Sequence, residues 1–199
     1  MKNKNTLNVG DLISIGVYSA VYFIFLTIGT FTSAILVPAY GMILIPAFVA
    51  LFSSVPYYLL ALKLQKFGAI TIMGFIMGIF YFVSGHFPLS FVPALILSIV
   101  ADGIAYTGKY KSKILLVISY VIFGFINAGP ILPLYFLKNA YIENLVARGK
   151  DSTYIDKLFS QISVTTFFIF LIATVVAGLI SSIFALKMMK KHFEKAGVI

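Results

Sequence analysis

The sequence contains no cysteine, no tryptophan and only two histidines in 199 residues. Without cysteine there is no disulfide framework, no thiolate metal site and no thiol nucleophile. His86 and His192 have no metal-ligand partner at helical or hairpin spacing. No Walker, HExxH or Gly-x-Ser-x-Gly sequence occurs. We therefore expect no metal site, no cofactor, no enzymatic activity and no ATP-driven motor within this chain.

Charge is scarce too, because only 11% of the residues are charged, whereas 61% are hydrophobic. A soluble domain has about 25% charged residues and about 45 to 50% apolar ones. The composition predicts an integral membrane protein that forms one domain over residues 1–199. The net charge of +9 resides at the ends of apolar runs and forms no continuous basic face. It indicates membrane orientation and contact with anionic lipid, and not nucleic-acid binding.

The stretch 86–113 sets the orientation of the whole chain. It is uncharged over 87–101, meets Asp102, and ends in a basic cluster formed by Lys109, Lys111 and Lys113. As a helix, the steps from 86 to 109 cover about 34 Å, enough to cross a hydrocarbon core of about 30 Å. Because positive charge in short loops stays in the cytoplasm, this span is predicted to run from outside to inside.

The other apolar runs then complete a six-helix bundle with both termini in the cytoplasm. The fold class is thus an all-α membrane protein with spans near 11–37, 38–62, 67–83, 86–106, 114–137 and 162–186. This arrangement places every lysine outside the 138–161 segment in the cytoplasm, at positions 2, 4, 63, 66, 109, 111, 113, 187, 190, 191 and 195. The four remaining cations are predicted on the outer side of the membrane, in one mixed-charge segment: Lys138, Arg148, Lys150 and Lys157.

Local signals refine three of these helices. Asn8 and Asp11 have the spacing of a capping box, so the first helix is predicted to start near Asp11. Pro46 and Pro56 each remove a backbone donor and predict a kinked second helix. Two glycines four apart within 74–78 predict close packing of the third helix against a neighbour.

The outer half of the fifth helix is the best indication of a site. Asn127, Gly129, Pro130 and Pro133 occur within seven residues and cannot form an undisturbed helix. Irregular backbone at membrane depth is tolerated where protein or a water-filled cavity satisfies it. We predict that Asn127 and Pro130 line a substrate pocket, with Asn127 orienting a small polar ligand. The alternative is that Asn127 only caps a broken turn of its own helix.

Two further residues are assigned to the same predicted pocket. Tyr135 follows the irregular stretch and would supply aromatic contact area. His86 lies where an outward-facing pocket would open, although a histidine in an interfacial loop needs no function. The predicted substrate-binding residues are therefore Asn127, Tyr135, His86 and Pro130.

Segment 138–161 is the only long polar stretch, and its near neutrality suits the outer side. Apolar residues recur at helical spacing before and after Gly149. This pattern predicts one or two short amphipathic helices at the membrane surface. The segment is long enough to fold over the predicted pocket.

Asp102 is the only acid in the interior of a predicted span, because Asp11 marks the start of the first one. An intramembrane acid indicates a function by default. Asp102 is, however, only seven residues from Lys109 and close to the inner interface, where a lysine can reach it. We favour a structural or docking role over a proton relay.

The first helix carries Gly16 and Ala20, a pair of small residues four apart, which in most proteins serves packing within the molecule. Together with six helices in about 200 residues, an irregular outer half of helix five and no motor, this pair resembles the substrate-binding S component of an energy-coupling factor (ECF) transporter. The run 101–103 followed by 108–111 is similar to a subgroup of unassigned substrate. The resemblance covers nearly the whole chain.

This resemblance implies a function. An S component captures a vitamin or related micronutrient at an outward-facing site in the cell membrane. A membrane scaffold subunit bound to two ABC-type ATPases then drives release inside. The family's docking motif would fall on Gly16 and Ala20, with glycine replacing the usual first alanine. Nickel and cobalt members carry a histidine after the initiator methionine, so Lys2 disfavours metal as the substrate.

Two alternatives remain open at this point. A stand-alone secondary transporter would need paired half-sequences or a coupling acid near the midplane, and the sequence shows neither. A non-transporting membrane scaffold would need no outward cavity. A saturable ligand-binding signal from the isolated chain would exclude the scaffold.

Overall fold

The structure is a computed structural model that describes residues 6–193, 195 and 197. Lys2 and Lys4, which belong to the predicted cytoplasmic charge, lie outside these residues. All regular elements of the described chain are helical. The α-helices are α1 (Val9–Leu36), α2 (Gly41–Phe52), α3 (Ser54–Leu64), α4 (Ala69–Val83), α5 (Val92–Thr107), α6 (Lys113–Gly124), α7 (Leu132–Phe136), α8 (Lys138–Ala147), α9 (Ser152–Phe159) and α10 (Val164–Met188). A 3-10 turn follows α6 (Phe125–Ala128), and a π-helical turn follows α10 (Met189–Phe193).

An all-helical fold is confirmed. Within the described residues, α1 and the helix Val164–Phe193 are each long and apolar enough to cross a membrane, and the bent pair α2 and α3 adds a third candidate. Three shorter apolar helices, Ala69–Val83, Val92–Thr107 and Lys113–Ala128, occupy the positions of the other predicted spans. The count of six spans stays a prediction.

The second apolar run is kinked, as its prolines predicted. α2 and α3 are bent by 47° at Ser53, whose side-chain hydroxyl donates to the Val49 carbonyl at 2.7 Å. Pro46 lies inside α2, and Pro56 falls in the first turn of α3. A proline at the start of a helix removes a donor that has no intrahelical partner. The bend therefore lies one turn before Pro56 and makes two helices of one run.

The capping box at the start of α1 is also confirmed. The Asp11 amide donates to Asn8 Oδ1 at 3.0 Å, and Asp11 Oδ2 accepts from the Asn8 amide at 2.8 Å. The helix begins at Val9, two residues earlier than predicted. Asp11 Oδ2 also lies 2.6 Å from Lys66 Nζ, which joins the start of α1 to the end of α3.

Close packing of α4 is confirmed at its two glycines. A Cβ added to Gly74 would lie 2.1 Å from Ser98 Cβ, and one added to Gly78 would lie 3.4 Å from Ala94 Cβ. Ser98 and Ala94 are on one face of α5. Small residues on α4 therefore let the two helices approach each other directly.

Asp102 is fully buried and caps α4. Its Oδ2 accepts from the Gly68 amide at 2.8 Å, from the Thr71 amide at 3.0 Å and from the Thr71 hydroxyl at 2.9 Å. Its Oδ1 accepts from the Tyr110 hydroxyl at 2.5 Å. An acceptor at a helix N-terminus satisfies amides that have no partner in the helix. The structure thus gives Asp102 a structural role, with Tyr110 and not Lys109 as its partner in the basic stretch.

Aromatic residues fill the core between Asp102 and the centre of the bundle. The centroid of the Tyr57 ring lies 4.9 Å from that of Tyr120 and 4.9 Å from that of Phe123. The hydroxyls of the two tyrosines are hydrogen-bonded: that of Tyr57 lies 2.5 Å from the Ser119 hydroxyl, and that of Tyr120 donates to the Ala50 carbonyl at 2.6 Å. We call the half of the bundle where α3, α5 and α10 end beside the lysine clusters the basic end. The opposite half, with α7 to α9, is the loop end.

Candidate functional site

The site begins with a break in the predicted fifth helix. α6 ends at Gly124, a 3-10 turn covers Phe125–Ala128, and helix resumes only at Leu132. The irregular backbone predicted for this stretch is confirmed. A Cβ on Gly129 would lie 1.9 Å from the Ser90 carbonyl oxygen, so the chain contacts the loop before α5 through its backbone. Only glycine permits this approach.

Two short helices, α8 and α9, follow the break and confirm the helices predicted in segment 138–161. Leu145 of α8 packs with Ile155 and Leu158 of α9 and with Leu134 of α7 in one apolar cluster. Their contact with a membrane surface stays a prediction. We call residues 138–159 the α8–α9 segment.

The α8–α9 segment is attached to the loop between α4 and α5. The Arg148 guanidinium donates to the Gly85 carbonyl and, at 3.2 Å, to the His86 carbonyl. The rings of Tyr141 and Phe87 stack with centroids 5.4 Å apart and an angle of 24°. These contacts fold the segment across the loop end of the bundle.

A cavity of about 220 Å³ lies between this segment and the bundle. It brings together three of the four predicted substrate-binding residues, His86, Asn127 and Pro130. Other lining residues come from α1, α2, α4, the turn before α7, and α8: Leu26, Thr30, Met42, Ile45, Phe80, Tyr81, Ile131 and Tyr141. The volume is below the range of about 300 to 1,000 Å³ that is usual for drug-sized ligands. The cavity is therefore suited to a small molecule.

Tyr135 does not line the cavity. Its hydroxyl lies 3.0 Å from the Thr166 hydroxyl, and its ring packs against Phe167 at a centroid distance of 5.0 Å. Both partners belong to α10. The short helix α7 turns this side chain away from Asn127, an orientation that sequence spacing across a broken helix does not define.

Asn127 is buried in the cavity wall, and its amide is already bonded within the protein. Its Oδ1 accepts from the Tyr81 hydroxyl at 2.8 Å. Its Nδ2 donates to the Tyr22 hydroxyl at 2.9 Å and to the Gly124 carbonyl at 3.1 Å. The last bond is the cap of a broken turn that the sequence left as an alternative. Asn127 thus fixes the orientation of two tyrosines, and both its amide hydrogens are used.

His86 is half-buried at the cavity, on the loop that Arg148 holds. Its Nδ1 lies 2.7 Å from the Ser84 hydroxyl, and its ring meets Tyr81 edge-on at 5.3 Å. Burial, and then the positive charge of Arg148, lower the pKa of His86 below 6.5. The imidazole is therefore neutral at neutral pH, and its Nε2 has no hydrogen-bond partner among the described residues.

Sequence reasoning missed three polar residues of the cavity, Thr30, Tyr81 and Tyr141. Thr30 belongs to a polar group at 30–33, which by itself indicates only the end of the first span. Tyr81 and Tyr141 stand in sequences rich in other aromatic residues, and no spacing distinguishes them. They become recognisable only in the fold, where α4 and α8 border the same cavity.

A second cavity, of about 340 Å³, lies between the turn before α2 and the start of α10. Ser163 and Thr166 line it, but they bond to each other as a capping box, with the Thr166 amide 3.2 Å from the Ser163 hydroxyl. These groups serve the helix start, so the first cavity is the better candidate.

The predicted docking pair lies on the outside of α1. Gly16 and Ala20 are both exposed. A Cβ added to Gly16 would meet nothing within 4 Å. Packing within the molecule, the ordinary explanation for such a pair, therefore does not account for these two residues.

Residues 9–195 match a family model described as "Hypothetical bacterial integral membrane protein (Trep_Strep)". The chain belongs to the Trep_Strep family. This membership, together with the apolar helices, supports a bacterial integral membrane protein. Curated proteins and solved structures give no match to this Trep_Strep chain.

Proposed function

We propose that this Trep_Strep protein is the substrate-capture subunit of an ECF-type importer in the bacterial plasma membrane. It would bind a small micronutrient or vitamin-like molecule on the outer side and deliver it inward. The observation that supports this most is the cavity at the loop end. It is bordered by Tyr141 of the α8–α9 segment and lined by groups from six parts of the chain, namely α1, α2, α4, the α4–α5 loop, the break between α6 and α7, and α8.

The six apolar segments fit this proposal as six spans with both termini inside. In the proposal, α1, the bent pair α2 and α3, α4, α5, α6 and α10 cross the membrane in alternating directions. Lysines cluster where α3, α5 and α10 end, as the positive-inside rule requires of cytoplasmic ends. The cavity then faces outward, where a nutrient is captured. The basic end faces the cytoplasm.

Transport would need partners, because the sequence has no ATP-binding motif. In the proposal these are a membrane scaffold subunit and two ABC-type ATPases, within the lipid bilayer. Gly16 and Ala20 provide the docking surface. Both are small, and both lie on an exposed face of an apolar helix. A helix of a partner can approach such a surface closely.

The test is co-purification of the chain with ECF scaffold and ATPase subunits from cells that express them together. Gly16→Leu is expected to abolish the complex and uptake, since bulk on this face blocks close approach. It is expected to leave the folded chain and its cavity unchanged, because the site is open. Gly103→Leu is the matched control, since a Cβ there also meets nothing within 4 Å but lies on α5.

Intact complexes with Gly16→Leu would reject the docking surface. Failure of the unmodified chain to associate with these subunits would reject the importer assignment itself. Loss of folding in Gly16→Leu but not in Gly103→Leu would show that Gly16 serves packing within the molecule and not docking.

A further inference from the structure

The cavity contains two kinds of polar residue. Asn127 and Tyr81 are bonded to each other, and Asn127 also to Tyr22 and Gly124. Their hydrogens are used in holding the wall together. A ligand that relied on them would have to break these bonds first.

Three other polar groups of the lining are free. The Thr30 hydroxyl, the Nε2 atom of His86 and the Tyr141 hydroxyl make no hydrogen bond among the described residues. They come from α1, from the loop before α5 and from α8, three elements far apart in the chain. The fold therefore brings three unpaired polar groups to one small space. A ligand can bond to these groups without disturbing the wall.

No lysine, arginine, aspartate or glutamate lines the cavity in the described part of the chain. Arg148 lies beside His86, but its guanidinium is bonded to two backbone carbonyls and is not part of the lining. An ion that enters such a cavity loses its water without gaining a counter-charge. The apolar lining would therefore select against net charge of either sign.

We propose that the cavity binds an uncharged, ring-sized molecule, recognised by Thr30, His86 and Tyr141 and not by Asn127. The apolar side chains contact the body of the molecule. The hydroxyls and the neutral imidazole bond to its polar edge, and each can donate or accept. This assignment names the substrate class of the site in the proposed importer. It rests on the proposed function for the biological role of the ligand, but not for the binding. The binding itself needs no partner subunit.

The experiment compares three probes of similar size and different charge: benzamide, benzoate and benzylammonium. Their dissociation constants for the detergent-purified full chain are measured by ligand-observed NMR. We expect benzamide to bind at least about tenfold more tightly than either ion. Equal or tighter binding of benzoate would show that Arg148 takes part and would overturn the charge selection, as would equal binding of benzylammonium. No saturable binding of benzamide would overturn the ligand class.

Matched variants locate the contacts. Thr30→Val and Tyr141→Phe each remove a hydroxyl with little change in volume. Each should weaken benzamide binding about five- to tenfold if the bond it removes is to the ligand. The controls are Thr27→Val, one turn earlier on α1, and Tyr154→Phe on α9. Neither control residue lines the cavity.

Equal affinities in the variants and their controls would reject recognition by Thr30 and Tyr141. The outcome is independent of the co-purification test. A chain that binds benzamide but associates with no ATPase would keep this ligand class and lose the importer assignment.

Discussion

The two ends of the bundle use polar groups differently. At the basic end, Asp102 accepts four hydrogen bonds, and the hydroxyls of Tyr57 and Tyr120 are paired. At the loop end, Thr30, His86 and Tyr141 surround a cavity with polar atoms that have no partner among the described residues. These three residues are half-exposed, and a ligand can bond to their free polar atoms without breaking a hydrogen bond within the protein.

The same contrast holds for the backbone. At the basic end, helices pack directly, with Gly74 of α4 against Ser98 of α5. At the loop end, one predicted span breaks into α6, a 3-10 turn and α7, and the α8–α9 segment is attached through Arg148. Segments with few buried contacts open locally more readily than the core of a fold. The comparison thus associates stability with the basic end and the proposed ligand site with the loop end.

Asp102→Ala should produce the largest effect on stability. It leaves the Gly68 and Thr71 amides and two hydroxyls without their acceptor, and each such buried donor costs about 1 to 3 kcal/mol. We expect the free energy of unfolding to fall by more than about 3 kcal/mol, measured by denaturation in detergent. Asp156→Ala, at an exposed position of α9, should change it by less than about 0.5 kcal/mol.

Asp102→Asn keeps the shape of the side chain and keeps Oδ as an acceptor for α4. Its amide can donate to the Tyr110 hydroxyl, so we expect a loss of only about 1 kcal/mol. A folded and fully stable Asp102→Ala protein would mean that the basic end does not depend on this cap.

Asn127→Leu should produce the next largest effect. The change removes the partner of the Tyr81 hydroxyl and one partner of the Tyr22 hydroxyl, so we expect a loss of about 2 to 3 kcal/mol in the free energy of unfolding. Tyr81→Phe removes only one of these bonds and should cost about half as much. Benzamide affinity should change less than it does in Thr30→Val, because the Asn127 amide is already bonded. Unchanged stability with tenfold weaker binding would instead make Asn127 a direct ligand contact.

Much of the fold follows from signals that are local in the sequence. The capping box at Asn8, the kink near Pro56 and the break after Gly124 depend on residues that are close together in the chain. Backbone donors removed by proline, and helix ends satisfied by side chains, act over a few residues. A sequence therefore predicts them without knowledge of the tertiary contacts.

The site was predicted less completely, for a physical reason. His86, Asn127 and Pro130 were expected together, because each lies at an irregular or interfacial position. Tyr135 was grouped with them, but the course of α7 directs it toward Thr166. Thr30 and Tyr141 reach the cavity only because the fold brings α1 and α8 to its wall. Such convergence depends on the packing of helices that are distant in the chain, which the spacing of one sequence does not encode.

The smallest expected effect concerns pH at the loop end. Burial and the charge of Arg148 hold the pKa of His86 below 6.5, so the unfolded chain binds the proton more readily than the folded one. Stability then rises with pH through this window and is lost as pH falls through 6.5 toward the lowered folded value. The groups that face His86 from the packed elements are Tyr81, Tyr141 and Arg148. Burial raises the pKa of Tyr141, so Arg148 alone is charged here.

The size of this effect should be below about 1 kcal/mol, because solvent screens a half-exposed ring. We expect the unfolding midpoint to fall between about pH 7.5 and 5.5 by more in the unmodified chain than in His86→Gln, which cannot take up the proton. His192→Gln, at an exposed position of the basic end, should keep the full dependence. If His86→Gln and the unmodified chain shift equally, the protonation that weakens the protein occurs elsewhere. The attachment of the α8–α9 segment would then depend on the Arg148 bonds to the two carbonyls and not on the neutrality of His86.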